Sequence, residues 1–325
     1  MSVVPLFSVV MPVFNKGPYV ARAINSVLAQ TQPDFELLIV CDPSTDNSTH
    51  EVEKFTNQRI RVLYRTAPGP GGYAARNMGI CGARAPWIAF LDADDEWLPD
   101  HLAQLTVLMR SFPEQKILTS GWIYKGDTST IDRYSQWHVG SPSHVIDLQQ
   151  FLRVGVLWAT PIWMGVACIQ RDVLQNAGLF PDAQLERGGD TDTWFRCILL
   201  VGSLAWSSHI GAIYCLNTIN QVTKKNVINI PSYLISTSQA LSRTDNVLLR
   251  RLLHERKHSF AINAWAMNLY VPKGRNFPIA QYLDWHKPFS HQLKCIVYSL
   301  VSLLPKPLAR SLYQTFVRGR HSAKL

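Results

Sequence analysis

Residues 7–91 alternate between short apolar runs and segments whose apolar residues recur with helical spacing. The apolar runs are typical of strands buried on both faces, and they occupy residues 7–13, 35–40, 60–64 and 87–91. Helical spacing fills the intervals, at residues 18–30, 46–55 and 73–83. Strands that alternate with helices over short loops form a doubly wound, mostly parallel sheet with helices on both faces. This pattern therefore predicts an α/β fold.

Residues suited to a binding site follow three of these predicted strands. Phe14 and Asn15 follow the first strand, Asp42 follows the second, and residues 92–95 (Asp-Ala-Asp-Asp) follow the fourth. In doubly wound sheets, ligands bind outside the carboxyl ends of the strands, where these residues should meet. The sequence therefore predicts a site at this edge of the sheet.

Three carboxylates crowd the end of the fourth strand, at Asp92, Asp94 and Asp95. Like charges so close together are costly unless a cation neutralises them. Hard divalent cations take oxygen ligands, and Mg²⁺ is often held by one or two carboxylates together with substrate phosphates. The alternative is a capping role, in which Asp95 and Glu96 favour the start of the next helix. Capping accounts for one acid but not for three, so the cluster predicts a site for a metal and a phosphate.

A glycine-rich segment at residues 69–74 (Gly-Pro-Gly-Gly-Tyr-Ala) matches the outline of the dinucleotide-binding fingerprint. It begins five residues beyond the third predicted strand and contains a proline, so it does not form the tight turn of that fingerprint. We interpret the glycines instead as a loop that approaches a phosphate closely, with Arg76 as the nearby cation.

The remainder of the chain is less regular. Helices are predicted at residues 101–111, 171–177 and 191–200, strands at 117–124 and 166–169, and a hairpin turn at 207–209. From about residue 232 the pattern is almost wholly helical. We therefore predict a first domain over residues 1–225 and a mostly helical C-terminal extension over residues 226–325.

Positive charge is concentrated near the C-terminus. The chain has 32 basic and 23 acidic residues, but residues 243–325 hold 14 of the former and only 3 of the latter. Within residues 290–325, basic residues alternate with bulky apolar ones, which is typical of helices that lie on an anionic membrane surface. The alternative is a helix packed on the core with a solvated basic face. No nucleic-acid motif accompanies the charge, so nucleic acid is not an expected partner.

The cysteine pattern and the apolar segments near the two termini indicate where in the cell the protein lies. The six cysteines include no Cys-x-x-Cys pair, so we expect neither a structural zinc site nor a disulfide framework. The apolar N-terminus has no basic residues and reads as a strand instead of a signal peptide. The longest late apolar run, at residues 295–304, is shorter than the roughly 20 residues of a spanning helix. We expect a cytoplasmic protein, with peripheral contact at the inner face of the cell membrane as a second expectation.

Several motifs occur in the order and spacing of one enzyme family. They comprise residues 12–15 (Pro-Val-Phe-Asn), Asp42 with residues 44–46, residues 75–80 (Ala-Arg-Asn-Met-Gly-Ile), residues 88–97, residues 178–182 and residues 189–196. Over residues 5–215 the chain resembles the family-2 glycosyltransferases, which have the GT-A fold and build bacterial surface polysaccharides. Each motif alone is weak, but the ordered set is specific.

The resemblance implies a role for each matching residue. The nucleotide pocket would be lined by Pro12, Val13, Phe14, Asn15, Asp42, Arg76, Asp92 and Ala93. Within it, Asp42 would bind the base, typically uracil, and Arg76 would approach the diphosphate. Asp94, together with Asp92, would hold a divalent cation, Mg²⁺ or Mn²⁺. Asp190 would be the catalytic base that takes a proton from the attacking sugar hydroxyl.

Three positions depart from the family pattern, and one role has an alternative. Pro43 replaces a glycine after Asp42, Gly189 stands where an acid usually precedes the base, and Tyr214 is followed by neither Arg nor His. Lys224 or Lys225 could supply the missing phosphate contact. Asp190 could also cap the helix that follows, with Asp192 serving as the base instead.

The sequence therefore predicts a metal-dependent, inverting glycosyltransferase. It would move a sugar from a nucleotide-sugar donor, a UDP-sugar by preference, to a glycan or lipid-linked glycan acceptor. The first alternative is a non-catalytic nucleotide-sugar-binding relative of the same fold. The second is a sugar nucleotidyltransferase, which would need glycines directly after the first strand, where Phe14 and Asn15 stand.

Overall fold

The computed structural model describes residues 4–157, 159–183, 185–219, 226–271, 278–285 and 289–321. The chain divides into two compact units. The first contains residues 1–183 and 189–220, and the second contains residues 184–188 and 221–325. Residues 184–188 therefore belong to the second unit, although the residues on both sides of them in the sequence belong to the first.

The first half of the sheet is parallel, as the sequence predicted. Its strands are β1 (Phe7–Val13), β2 (Phe35–Cys41), β3 (Ile60–Tyr64) and β4 (Trp87–Phe90), in the order β3-β2-β1-β4. The connecting helices are α1 (Gly17–Leu28), α2 (Ser48–Glu53) and α3 (Tyr73–Gly82). Helix α3 packs closely on β1, because a Cβ at Gly79 would lie 2.4 Å from Val10 Cγ1.

Beyond β4 the described sheet becomes mixed. It continues through β9 (Cys168–Gln170), β6 (Ile117–Lys125), β10 (Ser203–Cys215) and β5 (Glu96–Trp97), while β7 (Ser129–Ile131) and β8 (His144–Asp147) pair at its margins. Strand β9 is antiparallel to both β4 and β6, and β10 is parallel to β6. The carboxyl ends of β6 and β10 therefore reach the same edge as those of β1, β2 and β4.

The predicted hairpin at Ser207–His209 is wrong. Those residues lie inside β10, which continues unbroken from Ser203 to Cys215. The pairing with β6 shifts register between Ser207 and Ile210 and again before Ala212. Bulges accommodate extra residues without reversing the chain, so the polar residues mark an irregular strand.

The described part of the first unit contains five further α-helices. They are α4 (His101–Ser111), α5 (Arg133–Trp137), α6 (Leu148–Val156), α7 (Arg171–Asn176) and α8 (Gly189–Val201). Helix α4 has the predicted bounds, and α8 begins two residues earlier than predicted.

The second unit is helical in its described residues, as predicted. Its helices are Ile230–Tyr233, Ile235–Arg243, Val247–Asn268, Phe289–Leu303 and Lys306–His321. Trp265 is fully buried there and meets the rings of Tyr298 and Tyr313 edge-on. Across the part of the chain that the structure describes, every helix is too short or too polar to cross a membrane.

Candidate active site

The loop after β1 is fixed to the loop after β2 by side-chain hydrogen bonds. Asn15 has a left-handed backbone (φ 52°), and its Oδ1 accepts a hydrogen bond of 2.7 Å from the amide of Thr45. Asp46 accepts a hydrogen bond of 3.0 Å from the amide of Gly17. The predicted pocket residue Asn15 thus shapes the loop, whereas the neighbouring Phe14 is exposed.

Asp42 lies buried after β2 and is paired with an arginine. Arg65 Nη1 is 2.5 Å from Asp42 Oδ1. Burial raises the pKa of the Asp42 carboxyl, and the positive charge of Arg65 opposes that rise. The predicted base-binding carboxylate therefore enters the site as half of an ion pair.

Arg76 and Asp92 form a second ion pair between α3 and the end of β4. Arg76 Nη2 lies 2.5 Å from Asp92 Oδ1, and Nη1 donates to the carbonyl oxygen of Gly71 at 2.9 Å. The buried guanidinium lies 5.9 Å and 5.8 Å from the ring centres of Tyr73 and Phe180. Arg76 therefore fixes Asp92 and the glycine-rich loop in this structure.

Asp94 is held by a different set of donors. Lys16 Nζ lies 2.5 Å from its Oδ2, and Thr218 Oγ1 donates to the same oxygen at 2.7 Å. Arg22 donates to the backbone carbonyl of Asp94 at 2.7 Å. The two predicted metal-binding carboxylates are therefore each neutralised by a separate basic side chain of the protein.

Asp95 is buried behind these two carboxylates. Its Oδ1 accepts a hydrogen bond of 2.8 Å from the amide of Cys215, and Oδ2 has no hydrogen-bond partner among the described residues. Burial raises the pKa of Asp95 well above its usual range, and the charges of Asp94 and Asp92 add to the effect. The alternative capping role for Asp95 is wrong, because the next helix begins at His101 and Asp100 takes the cap position.

Asp190 lies in the first turn of α8, near the Arg76–Asp92 pair. Burial raises the pKa of its carboxyl, while an amide hydrogen bond from Thr191 and the charge of Arg76 oppose the rise. The alternative base, Asp192, is buried in an ion pair with Arg196, whose Nε lies 2.8 Å from Asp192 Oδ2. This pairing favours Asp190 for proton transfer and gives Asp192 a structural role.

The departure at Gly189 has a steric reason. A Cβ at this position would lie 2.7 Å from Cζ of Tyr73, so any side chain there would collide with the ring. The Gly189 amide instead donates to Tyr73 Oη at 2.8 Å. Four residues along α3, Asn77 both donates to and accepts from the backbone of Phe180 at 2.9 Å. Helix α3 therefore positions the segments on both sides of residues 184–188.

A divalent cation is chemically compatible with this edge of the sheet. Within the described residues, no three His, Cys, Asp or Glu side chains converge as a complete metal site. However, Asp95 Oδ2 is a buried oxygen that has no hydrogen-bond partner in the described part of the chain, and its charge interacts with those of Asp92 and Asp94. Mg²⁺ is commonly coordinated by one or two carboxylates, and phosphate oxygens of the bound ligand complete its coordination shell. The assignment of Asp92 and Asp94 as metal ligands stays a prediction.

Sequence reasoning missed three residues that contact the predicted site: Lys16, Arg65 and Thr218. Lys16 carried a usable signal, because it directly follows Asn15 and precedes a helix, where basic residues and free amides attract phosphates. Arg65 and Thr218 gave none, since their partners lie far away in the sequence. The predicted phosphate contacts Lys224 and Lys225 lie outside the described residues.

Residues 8–166 match the sequence profile described as Glycosyl transferase family 2. An uncharacterised glycosyltransferase of Nostoc sp. is 35% identical over 54% of this chain and 53% of its own length. The Escherichia coli enzyme named UDP-Glc:alpha-D-GlcNAc-diphosphoundecaprenol beta-1,3-glucosyltransferase is 37% identical over 33% of this chain and 42% of its own. The chain spans about half the length of the curated relatives it matches.

Solved structures resemble the chain over a larger share of its length. Staphylococcus aureus TarS in complex with UDP-GlcNAc has a TM-score of 0.66 at 16% identity, covering 96% of this chain and 92% of that one. A mannosyltransferase of Pyrobaculum calidifontis, in complex with GDP-Man and Mn²⁺, has a TM-score of 0.56 at 17% identity, covering 94% and 83%. At these identities the likeness concerns the fold, which is of the GT-A type. Since sequence profile and fold agree, residues 8–166 form a domain of glycosyltransferase family 2.

Proposed function

We propose that this protein transfers a sugar from a nucleotide-sugar donor to a saccharide or lipid-linked saccharide acceptor, with inversion at the anomeric carbon. The observation that carries the proposal is the position of Asp190. Its carboxyl lies near the Arg76–Asp92 pair, and burial raises its pKa, which makes the ionised carboxylate a stronger proton acceptor. A proton acceptor thus lies close to the residues assigned to the donor phosphates.

The reaction needs one displacement. Asp190 accepts the proton of the acceptor hydroxyl while the hydroxyl oxygen attacks the anomeric carbon and the bond to the nucleoside diphosphate breaks. Arg76 and Lys16 lie at the same sheet edge, where their positive charges would stabilise the negative charge that develops on the leaving group. Attack opposite the leaving group inverts the centre, and no protein nucleophile is required.

We assign the divalent cation, Mg²⁺ or Mn²⁺, to Asp94 and Asp92. When bound, the cation would neutralise charge on the departing diphosphate. Support comes from the buried Asp95 oxygen, which has no hydrogen-bond partner among the residues that the structure describes, and from the Mn²⁺ in the Pyrobaculum calidifontis neighbour. The remaining ligands would be phosphate and water oxygens.

We assign the nucleotide to the ends of β1 and β2, and we propose a UDP-sugar as the donor. Phe14 offers an exposed ring beside the loop, and Asp42 offers a carboxylate oriented by Arg65. A UDP-sugar appears in the name of the Escherichia coli relative and in the TarS complex. On these grounds we propose uridine as the nucleoside of the donor.

We further propose that the second unit contacts an anionic membrane surface at the inner face of the cell membrane, where a lipid-linked acceptor would lie. On the helix Phe289–Leu303, four apolar side chains spaced three or four residues apart are solvent-exposed: Leu293, Ile296, Leu300 and Leu303. An exposed apolar stripe in a strongly basic segment suits a lipid interface.

A donor-hydrolysis screen tests the central proposal. The protein would be incubated with a panel of UDP-, GDP- and TDP-sugars with Mn²⁺, and release of the nucleotide would be measured. We expect slow hydrolysis of one UDP-sugar above the rest. Calorimetric binding of UDP without turnover of any donor, across a wide panel of acceptors, would support the non-catalytic alternative instead.

A further inference from the structure

The ion pair between Lys16 and Asp94 differs from an ordinary surface salt bridge. Its side chains are only 13% and 12% exposed, and the two residues are 78 positions apart in the sequence. By contrast, Lys54 and Glu51 form a local pair in which the lysine is 53% exposed. Exposed pairs of that kind contribute little, whereas an almost buried pair holds its two segments together.

Lys16 joins three segments of the first unit. Its ammonium contacts Asp94 in the turn after β4, and it also donates to the carbonyl oxygen of Ile219 at 3.1 Å, four residues beyond the end of β10. Thr218, next to Ile219, donates to the same Asp94 oxygen. Asp94 Oδ2 is therefore saturated by donors that belong to the protein.

A metal ion and the Lys16 ammonium cannot both occupy that oxygen at bonding distance. Two positive charges a few ångströms apart repel strongly in a site shielded from water. Asp94 can therefore bind a cation through Oδ2 only when Lys16 has moved away. The displaced ammonium would remain at the sheet edge assigned to the donor diphosphate, since its backbone is fixed by a hydrogen bond of 2.7 Å from the Lys16 amide to Ser48 Oγ.

We propose that Lys16 is an internal counter-ion that competes with the divalent cation for Asp94 and, once displaced, binds the donor diphosphate. This inference rests on the proposed function, because it takes Asp94 as the metal ligand. Binding of the metal would release Lys16 from Asp94, and binding of the donor would give the released ammonium a new partner. Each ligand should therefore strengthen the binding of the other. The metal alone should bind weakly, and the metal with the nucleotide should bind more tightly.

Calorimetric titration with Mn²⁺ alone tests the competition. We expect Lys16→Met and Lys16→Gln to bind Mn²⁺ about tenfold more tightly than the original chain, as for the loss of one partly buried ion pair. Lys16→Arg, which retains the charge, and Lys54→Met, which removes a distant lysine, should bind Mn²⁺ like the original chain. Circular dichroism would establish that each variant is folded, and two neutral substitutions guard against the failure of one.

A second titration, with UDP at saturating Mn²⁺, tests the other half of the proposal. Here Lys16→Met should bind UDP several-fold more weakly, so the two titrations move in opposite directions. Unchanged or weaker Mn²⁺ binding in both neutral variants would overturn the counter-ion role while leaving donor turnover, and so the proposed function, intact. Absence of any Mn²⁺ binding to the original chain and to these variants would overturn the metal assignment itself.

Discussion

Basic side chains serve opposite purposes in the two units. At the sheet edge of the first unit, Lys16, Arg65 and Arg76 each lie 2.5 Å from an aspartate. Each of these cations is matched by a carboxylate, so its positive charge is cancelled within the site. Its charges fix loops and orient side chains, and any anion that binds there must rearrange existing pairs.

The second unit has too few acids for such pairing. Arg256 is buried over the ring of Phe260 at 4.0 Å, and Arg310 lies over the ring of Tyr270 at 4.5 Å. Stacking on an aromatic ring stabilises a cation without cancelling its charge. The unit therefore retains its net positive charge, which would attract anionic surfaces. The first unit, by our proposal, would instead recognise one small anion by the geometry of its site.

The largest effect is expected when the proposed catalytic base at the sheet edge is removed. Asp190→Asn should lower the transfer rate by about 10³-fold, because general-base contributions are typically 10²–10⁴-fold. Calorimetric UDP binding should remain close to that of the original chain. Asp172→Asn, which alters an exposed acid of the same unit, is the control and should leave the rate unchanged.

The next test removes a carboxylate that the first unit pairs with a lysine. Asp94→Asn should reduce donor turnover by about 10²-fold, because one oxygen ligand and its charge are lost from the site. Turnover would be measured over a range of Mn²⁺ concentrations. Rates like those of the original chain in both Asp94→Asn and Asp190→Asn would overturn the assignment of the site.

A smaller effect is expected in the second unit. The double substitution Leu300→Ser and Leu303→Ser should lower partitioning onto anionic vesicles by about tenfold, because two apolar side chains no longer enter the interface. Both side chains are mostly exposed, so the thermal midpoint should hardly change. Val107→Ser, on an exposed face of the first unit, is the control for flotation. Equal partitioning of all three proteins would contradict a membrane-binding second unit.

The smallest expected effect is a displacement in pH. Asp190 must be ionised to accept a proton, so the rate falls as the pH drops through its pKa. Because burial raises that pKa, the acid limb of the kcat profile should lie above the ordinary range of an aspartate. Arg76 lowers the same pKa, so Arg76→Gln should move the limb to still higher pH, measured at saturating donor. If Arg76→Gln left the acid limb at the same pH, the catalytic base would be a residue other than Asp190.

The sequence predicted the parallel strands well and their side-chain partners poorly. Strands β1 and β3 and helix α4 have the predicted bounds, because burial on both faces and helical spacing leave a direct trace in the order of residues. The unbroken course of β10 could not be predicted, since a bulge and a turn use similar polar residues. The pairing of Lys16 with Asp94 depends on how two segments that are distant in the sequence fold together. A single sequence does not show which distant residues come into contact.

The contacts of helix α3 have a mechanical consequence. Tyr73 fixes the start of α8 and Asn77 fixes Phe180, so both ends of the excursion through residues 184–188 are anchored to the helix that also contains Arg76. The helix that contains Arg76 therefore also holds the residue that precedes Asp190. We therefore expect substitutions at residues 185–188 to change the position of Asp190 less than substitutions at Tyr73 or Asn77 would.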